Sequence, residues 1–328
     1  MADATAADPS PTFDVTSLGE ALVRLSVPAG TRLSNAARLD VHVAGAESNV
    51  CAALAGLGRR SAFVTRLPHN PLGDLVVRRL REWGVDPSGI VRADQGRVGT
   101  YFVEFAAPPL PIRVTYDRAD SACTRFTSGE VDWEWMLDTR ALHLTGITPA
   151  LSPSCRELVG EAADRARERG VQVSFDVNHR AQLWSDHAAA EALRPLLRAA
   201  DLLLCKRDDA ERLFGISGAP ERMLDELQDL SGAVHVVMSL GEEGALARSE
   251  GRTYHQPAIP VTVVDRIGAG DAFAAGVIDG VLDGDLEAGL ATGTALAALA
   301  LTQHGDVVVT DRAEVDAARH GLSGGVHR

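Results

Sequence analysis

The sequence is poor in cysteine, in aromatic residues and in positive charge, and it has no long apolar run. Its four cysteines, Cys51, Cys123, Cys155 and Cys205, form no CxxC pair and no Cys/His cluster of zinc spacing, which excludes a disulfide framework and a structural zinc site. Buried free thiols in a reducing compartment are expected instead. Aromatics make up 5% of the chain, too few for a base-stacking platform. The 32 basic residues are outnumbered by 45 acidic ones, and the formal charge of −13 repels polyanionic backbones and anionic membranes. The longest apolar stretch, around Ala295–Leu301, is far below the ~20 residues of a membrane span. Residues 1–12 lack the basic and apolar regions of a signal peptide and read as a disordered tail. A cytoplasmic protein without nucleic-acid or membrane partners is expected.

What is present is enough apolar material, 45% of 328 residues, to bury a large core. Short β-branched runs alternate with helical patterns from about Asp14 onward, the signature of a mostly parallel sheet covered by helices on both faces. Strands are expected at Val15–Leu18, Ala62–Thr65, Ala141–Thr145, Val171–Asp176, Leu202–Cys205 and Val234–Met238. Helices are expected at Glu47–Leu57, Leu72–Trp83, Cys155–Arg169, Ala188–Ala199, Glu221–Leu230, Ala269–Leu282 and Leu286–Thr302. The strand-like runs Val98–Phe105 and Ile112–Tyr116 flank Pro108-Pro109 without a crossover helix, which marks a small β appendage. The domain thus spans 13–328, with a discontinuous lid from about 21–43 and 97–118. Thr145-Gly146, Asp176–Arg180 and Lys206–Asp209 fall at the carboxyl ends of strands, where ligands sit in open α/β sheets.

The segment with the clearest chemistry is Val264–Phe273, a Gly-rich turn opening an apolar helix. Gly268 and Gly270 permit close backbone approach, and the free N–H groups of Gly268, Ala269 and Gly270 at the helix start make an anion hole without any side-chain charge. Asp271 is out of place there, because a carboxylate repels the anion. Either it caps the helix or it is the general base that takes a proton from a hydroxyl attacking phosphorus. No GxxxxGK[ST] occurs, and the run has no GxGxxG form, so neither a Walker-type loop nor a dinucleotide fingerprint is present.

The run Asp265–Asp271 resembles the D-[TP]-x-G-A-G-D signature of the ribokinase/PfkB-type sugar kinases. Ala44–Val50 is similar to that family's GGA-x-x-N-x-A element, and Ser239–Gly244 to its [TK]-x-G-x-x-G turn. The likeness runs from about Asp14 to Asp306. Finer features, Leu142–Ser152, Ser174–Arg180 with Leu183-Trp184, and Tyr116-Asp117-Arg118, resemble the 2-keto-3-deoxygluconate kinase branch. The resemblance implies a ribokinase-like doubly wound sheet with a β-sheet lid, and ATP-dependent phosphorylation of a sugar acid with Mg2+. It leaves open a monovalent cation beside the anion hole, and it implies a homo-oligomer. A fructokinase or other ketose kinase of this fold, or an inactive sugar or nucleotide sensor, are the alternatives.

Residue by residue, the resemblance assigns Gly45, Ala46, Asn49, Tyr101, Tyr116, Arg118, Asn178, Arg180 and Asp306 to the sugar. Arg118 and Arg180 suit a carboxylated substrate, because a guanidinium can grip carboxylate with two hydrogen bonds. For Tyr101, packing within the small sheet is the alternative. Ser239, Gly241, Gly244 and Lys206 fall on the nucleotide side, and Asp209 acts indirectly on the metal. The chain departs from the family pattern at Ala44, at Arg266 in place of Thr or Pro, at Lys206 in place of Asn, and at Pro68 and Asn70 in place of Gly and Asp. His143 and His179 read as packing residues.

Overall fold

The computed structural model describes residues 10–105 and 110–321. The Pro108-Pro109 turn and residues 1–9 of the expected tail lie outside them. In chain order the strands are β1 (Phe13–Leu18), β2 (Leu22–Ser26), β3 (Asp40–Ala44), β4 (Ser61–Val64), β5 (Arg66–Pro68), β6 (Val91–Ala93) and β7 (Gly99–Glu104). They continue with β8 (Arg113–Asp117), β9 (Thr139–Thr145), β10 (Gln172–Asp176), β11 (Leu202–Lys206), β12 (His235–Ser239), β13 (Ala245–Ser249) and β14 (Arg252–Gln256). The helices are α1 (Ala46–Gly56), α2 (Pro71–Glu82), α3 (Trp133–Met136), α4 (Pro153–Glu168), α5 (Asp186–Leu197), α6 (Arg207–Phe214), α7 (Pro220–Ser231), α8 (Ala269–Leu282), α9 (Leu286–Leu301) and α10 (Arg312–Arg319).

The main sheet has eight strands in the order β14-β13-β12-β11-β10-β9-β1-β4. It is parallel from β12 to β4. The last two strands run antiparallel as hairpins, because their short turns leave no room for the crossover that a parallel pair needs. Successive residues of the central strands face opposite cores. Leu203 and Cys205 of β11 pack with Leu158, Leu193 and Leu224 of α4, α5 and α7, whereas Leu202 and Leu204 pack with Leu54, Val277 and Leu296 of α1, α8 and α9. Burial on both faces explains why these strands read as apolar runs rather than as alternating ones.

The Ala- and Gly-rich helices α8 and α9 lie unusually close. A Cβ on Gly276 would stand 2.3 Å from the backbone nitrogen of Gly293, so only glycine allows this approach, which carries the start of α8 up to the strand ends. All four cysteines are buried and free, as their spacing implies. Asn70, one of the departures from the family pattern, caps α2 by accepting the Gly73 N–H at 2.9 Å.

A second sheet of four strands, β3-β2-β7-β8, stands apart from the first. Its inward face carries Leu22, Ala44, Tyr101 and Val103, which pack with Ile267 of the Gly-rich segment. That contact sets the small sheet over the carboxyl end of the main one.

Candidate active site

Strands β10, β11 and β12 end at Asp176, Lys206 and Ser239, and a cleft of about 980 Å³ opens above them. Gly241, Gly244 and Gly270 form part of its rim, and Ile259, Val261, Ala297 and Leu301 give it an apolar wall. Its size and mixed lining suit a nucleotide. Lys206 is the only lysine in the chain, since the other 31 of the 32 basic residues are arginine. It is exposed at the end of β11, and its charge acts on Asp176, Asp209 and Asp271. Burial pushes the Asp176 carboxyl up to about 7, with Lys206 opposing, and burial also raises Asp209. Arg266 sits on the rim, largely exposed, 3.8 Å from Glu242.

The Gly-rich turn forms as its sequence implies. Gly268 has φ +86° and precedes α8; a Cβ there would lie 2.0 Å from the Asp306 carbonyl oxygen, so the turn and the Asp306 loop can meet only through glycine. The first N–H groups of α8 have no acceptor within the helix. Asp271, its third residue, is 7% exposed. It does not act as a cap: its carboxylate accepts the Asn49 Nδ2–H at 2.7 Å. Burial raises the Asp271 carboxyl, with the Asn49 hydrogen bond and the Arg180 charge opposing.

Asn49 lies in the first turn of α1, after Gly45 at φ +149°, where a Cβ would strike the Glu20 carbonyl at 2.4 Å. Ala46 begins that helix, and Ala44 is an ordinary β3 residue. The Oδ1 atoms of Asn49 and Asn178 are buried without partners among the described residues. Asn178 also holds φ +38°, uncommon for a side-chain-bearing residue. Buried orphan acceptors beside an anion hole fit a hydroxylated ligand that would donate to them.

The two candidate carboxylate anchors differ. Arg180 is part-buried, makes no ion pair among the described residues, and is close enough to act on Asp271, Asp176 and Asp209. Arg118 is instead already committed: its Nε donates to Glu20 Oε2 at 2.7 Å, its Nη2 pairs with the same carboxylate, and its guanidinium lies over the Tyr116 ring. A free Arg118 fork is therefore not what the fold presents. Tyr101 is buried, stacks at 5.3 Å on Tyr116, and donates its hydroxyl to Asp306. His143 is a packing residue: it bonds Ser174, and burial lowers it to about 3.

Sequence reasoning gave no site role to the buried charges Glu20, Arg24, Glu47 and Asp265, and none to Asp176 beyond its place at a strand end. Glu20 holds Arg118 and accepts from Ser121. Glu47 accepts from Thr145 Oγ1 at 2.7 Å and Thr148 Oγ1 at 2.6 Å; burial raises its carboxyl. Asp176 lines the cleft, and Arg24 joins Asp265 to Asp306. Glu47, Asp176 and Asp265 stood inside the quoted motifs. Glu20 follows β1 directly, the one signal that could have marked it, since residues just beyond a central parallel strand face the ligand crevice; Arg24 lies within β2 of the small sheet, where no such signal applies.

A helix start with unpaired N–H groups, a buried carboxylate beside it and a cleft at the strand ends suit a small-molecule kinase of ribokinase-like architecture. The chain belongs to the pfkB family of carbohydrate kinases, whose model matches residues 12–311. It is 39% identical over 319 residues to a 2-dehydro-3-deoxygalactonokinase of Haloferax volcanii, covering 97% of this chain and 100% of that one. It is 32% identical to a 2-dehydro-3-deoxygluconokinase of Bacillus subtilis, covering 90% and 91%. The crystal structure of a 2-dehydro-3-deoxygluconokinase from Thermotoga maritima superposes with a TM-score of 0.90 at 34% identity, covering 94% of this chain and 100% of that one. The protein is a sugar kinase, and kinases of this family use ATP and Mg2+. Among the described residues, no helix is long and apolar enough to cross a membrane.

Proposed function

We propose that the protein phosphorylates a six-carbon 2-keto-3-deoxy sugar acid at its primary hydroxyl. The observation that carries this reading is Arg180, a part-buried guanidinium without an ion pair among the described residues, set within reach of the Asp271 charge. The 2-keto-3-deoxy acids of gluconate and galactonate differ in one hydroxyl configuration, and the 39% relative favours the galactonate form as a second substrate.

In the reaction, Asp271 accepts the proton of the primary hydroxyl. The hydroxyl oxygen then bonds to the γ-phosphorus as the bond from that phosphorus to the β–γ bridging oxygen breaks, which releases ADP. The N–H groups of Gly268, Ala269 and Gly270 face the charge on the transferring phosphoryl group. Asn49, held on Asp271, orients the base, and Gly45, Ala46, Asn178, Tyr101, Tyr116 and Asp306 surround the sugar. Glu20 turns Arg118 toward Tyr116 rather than leaving it as a second carboxylate clamp. Ser239, Gly241 and Gly244 carry the nucleotide, with Lys206 toward its phosphates.

Among the described residues no group of three metal-ligating side chains occurs. The oxygen donors Asp176 and Asp209 at the strand ends would hold Mg2+ beside the triphosphate. Bound Mg2+ supplies neutralisation of phosphate charge. The carboxylates of Asp265 and Asp306 are already paired with Arg24, so no monovalent cation is assigned between them. ATP supply and four reduced thiols suit the cytoplasm. A homo-oligomer through the small sheet, where Val41 and Ile112 are exposed, completes the proposal; a single-chain mass by light scattering removes that part.

Two measurements test the reading. With either sugar acid and MgATP, phosphorus NMR should show one new phosphomonoester per ADP; inorganic phosphate alone would exclude the transfer. An amine-acylating reagent has only Lys206 and the chain terminus to label, and saturating ATP should slow labelling of Lys206 at least ~10-fold. Unchanged labelling would remove Lys206 from the nucleotide site.

A further inference from the structure

Arg24 is fully buried, with 0% of its surface exposed. It stands on β2 in register with Tyr101 of β7, on the face of the small sheet turned toward the Gly-rich segment. Its Nη2 donates to Asp265 Oδ2 at 2.5 Å, its Nη1 to Asp306 Oδ2 at 2.8 Å and its Nε to Ser26 Oγ at 2.8 Å. Both carboxylates pass the contact on. Asp265 accepts the Ile267 N–H at 3.0 Å and the Gly305 N–H at 3.3 Å, which shapes the turn into Gly268. Asp306 accepts the Tyr101 hydroxyl, and its carbonyl is the atom that a side chain on Gly268 would strike. One guanidinium from the small sheet therefore fixes both loops that meet at the start of α8.

We propose that Arg24 is a positioning residue for phosphoryl transfer, which holds the Asp265–Gly268 turn and the Asp306 loop in register with the seated small sheet and so aligns the anion hole with Asp271. The proposal rests on the kinase reading above. Stability alone is a weak reason for such a group, because buried ion pairs are often no better than apolar residues of the same volume. A planar fork that bridges two carboxylates at fixed separation supplies geometry, which lysine cannot copy.

The test uses the full chain with Arg24→Lys and Arg24→Met, plus Arg24→Met combined with Asp265→Asn to lessen the unpaired charge. Folded fraction, ATP affinity, and kcat and KM for the sugar acid are measured beside the wild type. The expected result is ATP affinity within about twofold, kcat reduced about 10²-fold in both single variants, as for a slight misplacement of reacting groups, and partial recovery of kcat in Arg24→Met on adding millimolar methylguanidinium. A kcat per folded molecule within about twofold of wild type overturns the proposal, and so does failure of all three variants to fold, which would assign Arg24 to core stability. Wild-type protein that transfers no phosphoryl group strikes the kinase reading itself; active wild type with undisturbed variants strikes only the role of Arg24.

Discussion

Asp271→Asn is expected to lower kcat by about 10²–10⁴-fold, the range that a general base contributes, while ATP and the sugar acid still bind. The substitution keeps the shape and a partner for Asn49 Nδ2, which now donates to Asp271 at 2.7 Å, but removes the proton acceptor. A loss confined to the chemical step leaves KM for both substrates near its wild-type value. The pH profile carries the same information. Burial raises the Asp271 carboxyl against the opposing effects of Asn49 and Arg180, so the acid limb of kcat/KM lies above the ordinary aspartate range, and activity falls as pH drops through it and the base becomes protonated. Asp176 is pushed up to about 7, chiefly by burial, and the Asp271 charge adds to that rise. Near-normal turnover in Asp271→Asn would remove this residue from the mechanism.

Arg180→Gln carries the second large effect. A charge-assisted bidentate contact is worth ~1.5–3 kcal/mol, or about 10- to 150-fold. The variant should lose that factor in kcat/KM for a sugar acid and lose almost nothing for fructose, which has no carboxylate. Arg180→Lys should recover only part of it, because an ammonium replaces the fork with a point charge. Arg118→Gln is expected to behave differently. It would strand Glu20, which is 2% exposed, and so depress folding and activity on every sugar alike. Equal losses for acid and neutral sugars in Arg180→Gln would place the carboxylate elsewhere.

The contrast between the two arginines shows what the sequence could and could not reveal. Local periodicity was enough to locate β1, β4, β9 to β12 and the long helices within a few residues, because each buries a regular apolar pattern. The hairpin strands β13 and β14 and the short helices α6 and α10 went unread, being brief, and β14 being largely polar as well. The Gly-rich turn and Asp271 were legible because chemistry demands an unusual residue order there. Pairing across the chain was not. Arg24 reaches partners 241 and 282 positions away, and Arg118 meets Glu20 across 98. Any arginine of this acidic chain had many carboxylates to choose from, and only the packing of the small sheet on Ile267 selects among them. The net charge of −13 takes on a local meaning in this light: a substrate anion meets a helix start and one open guanidinium, while the remaining buried arginines at the site are neutralised by their own carboxylates.

The central claim is that this cleft phosphorylates a sugar acid, and its most direct test is kcat/KM for 2-keto-3-deoxygluconate and 2-keto-3-deoxygalactonate against fructose, measured by coupled ADP release on the purified full-length protein. The account predicts that at least one sugar acid exceeds fructose by about 10²-fold, the discrimination expected when a site built for a charged group meets a substrate lacking it. A kcat/KM for fructose equal to or above that of both acids would contradict it.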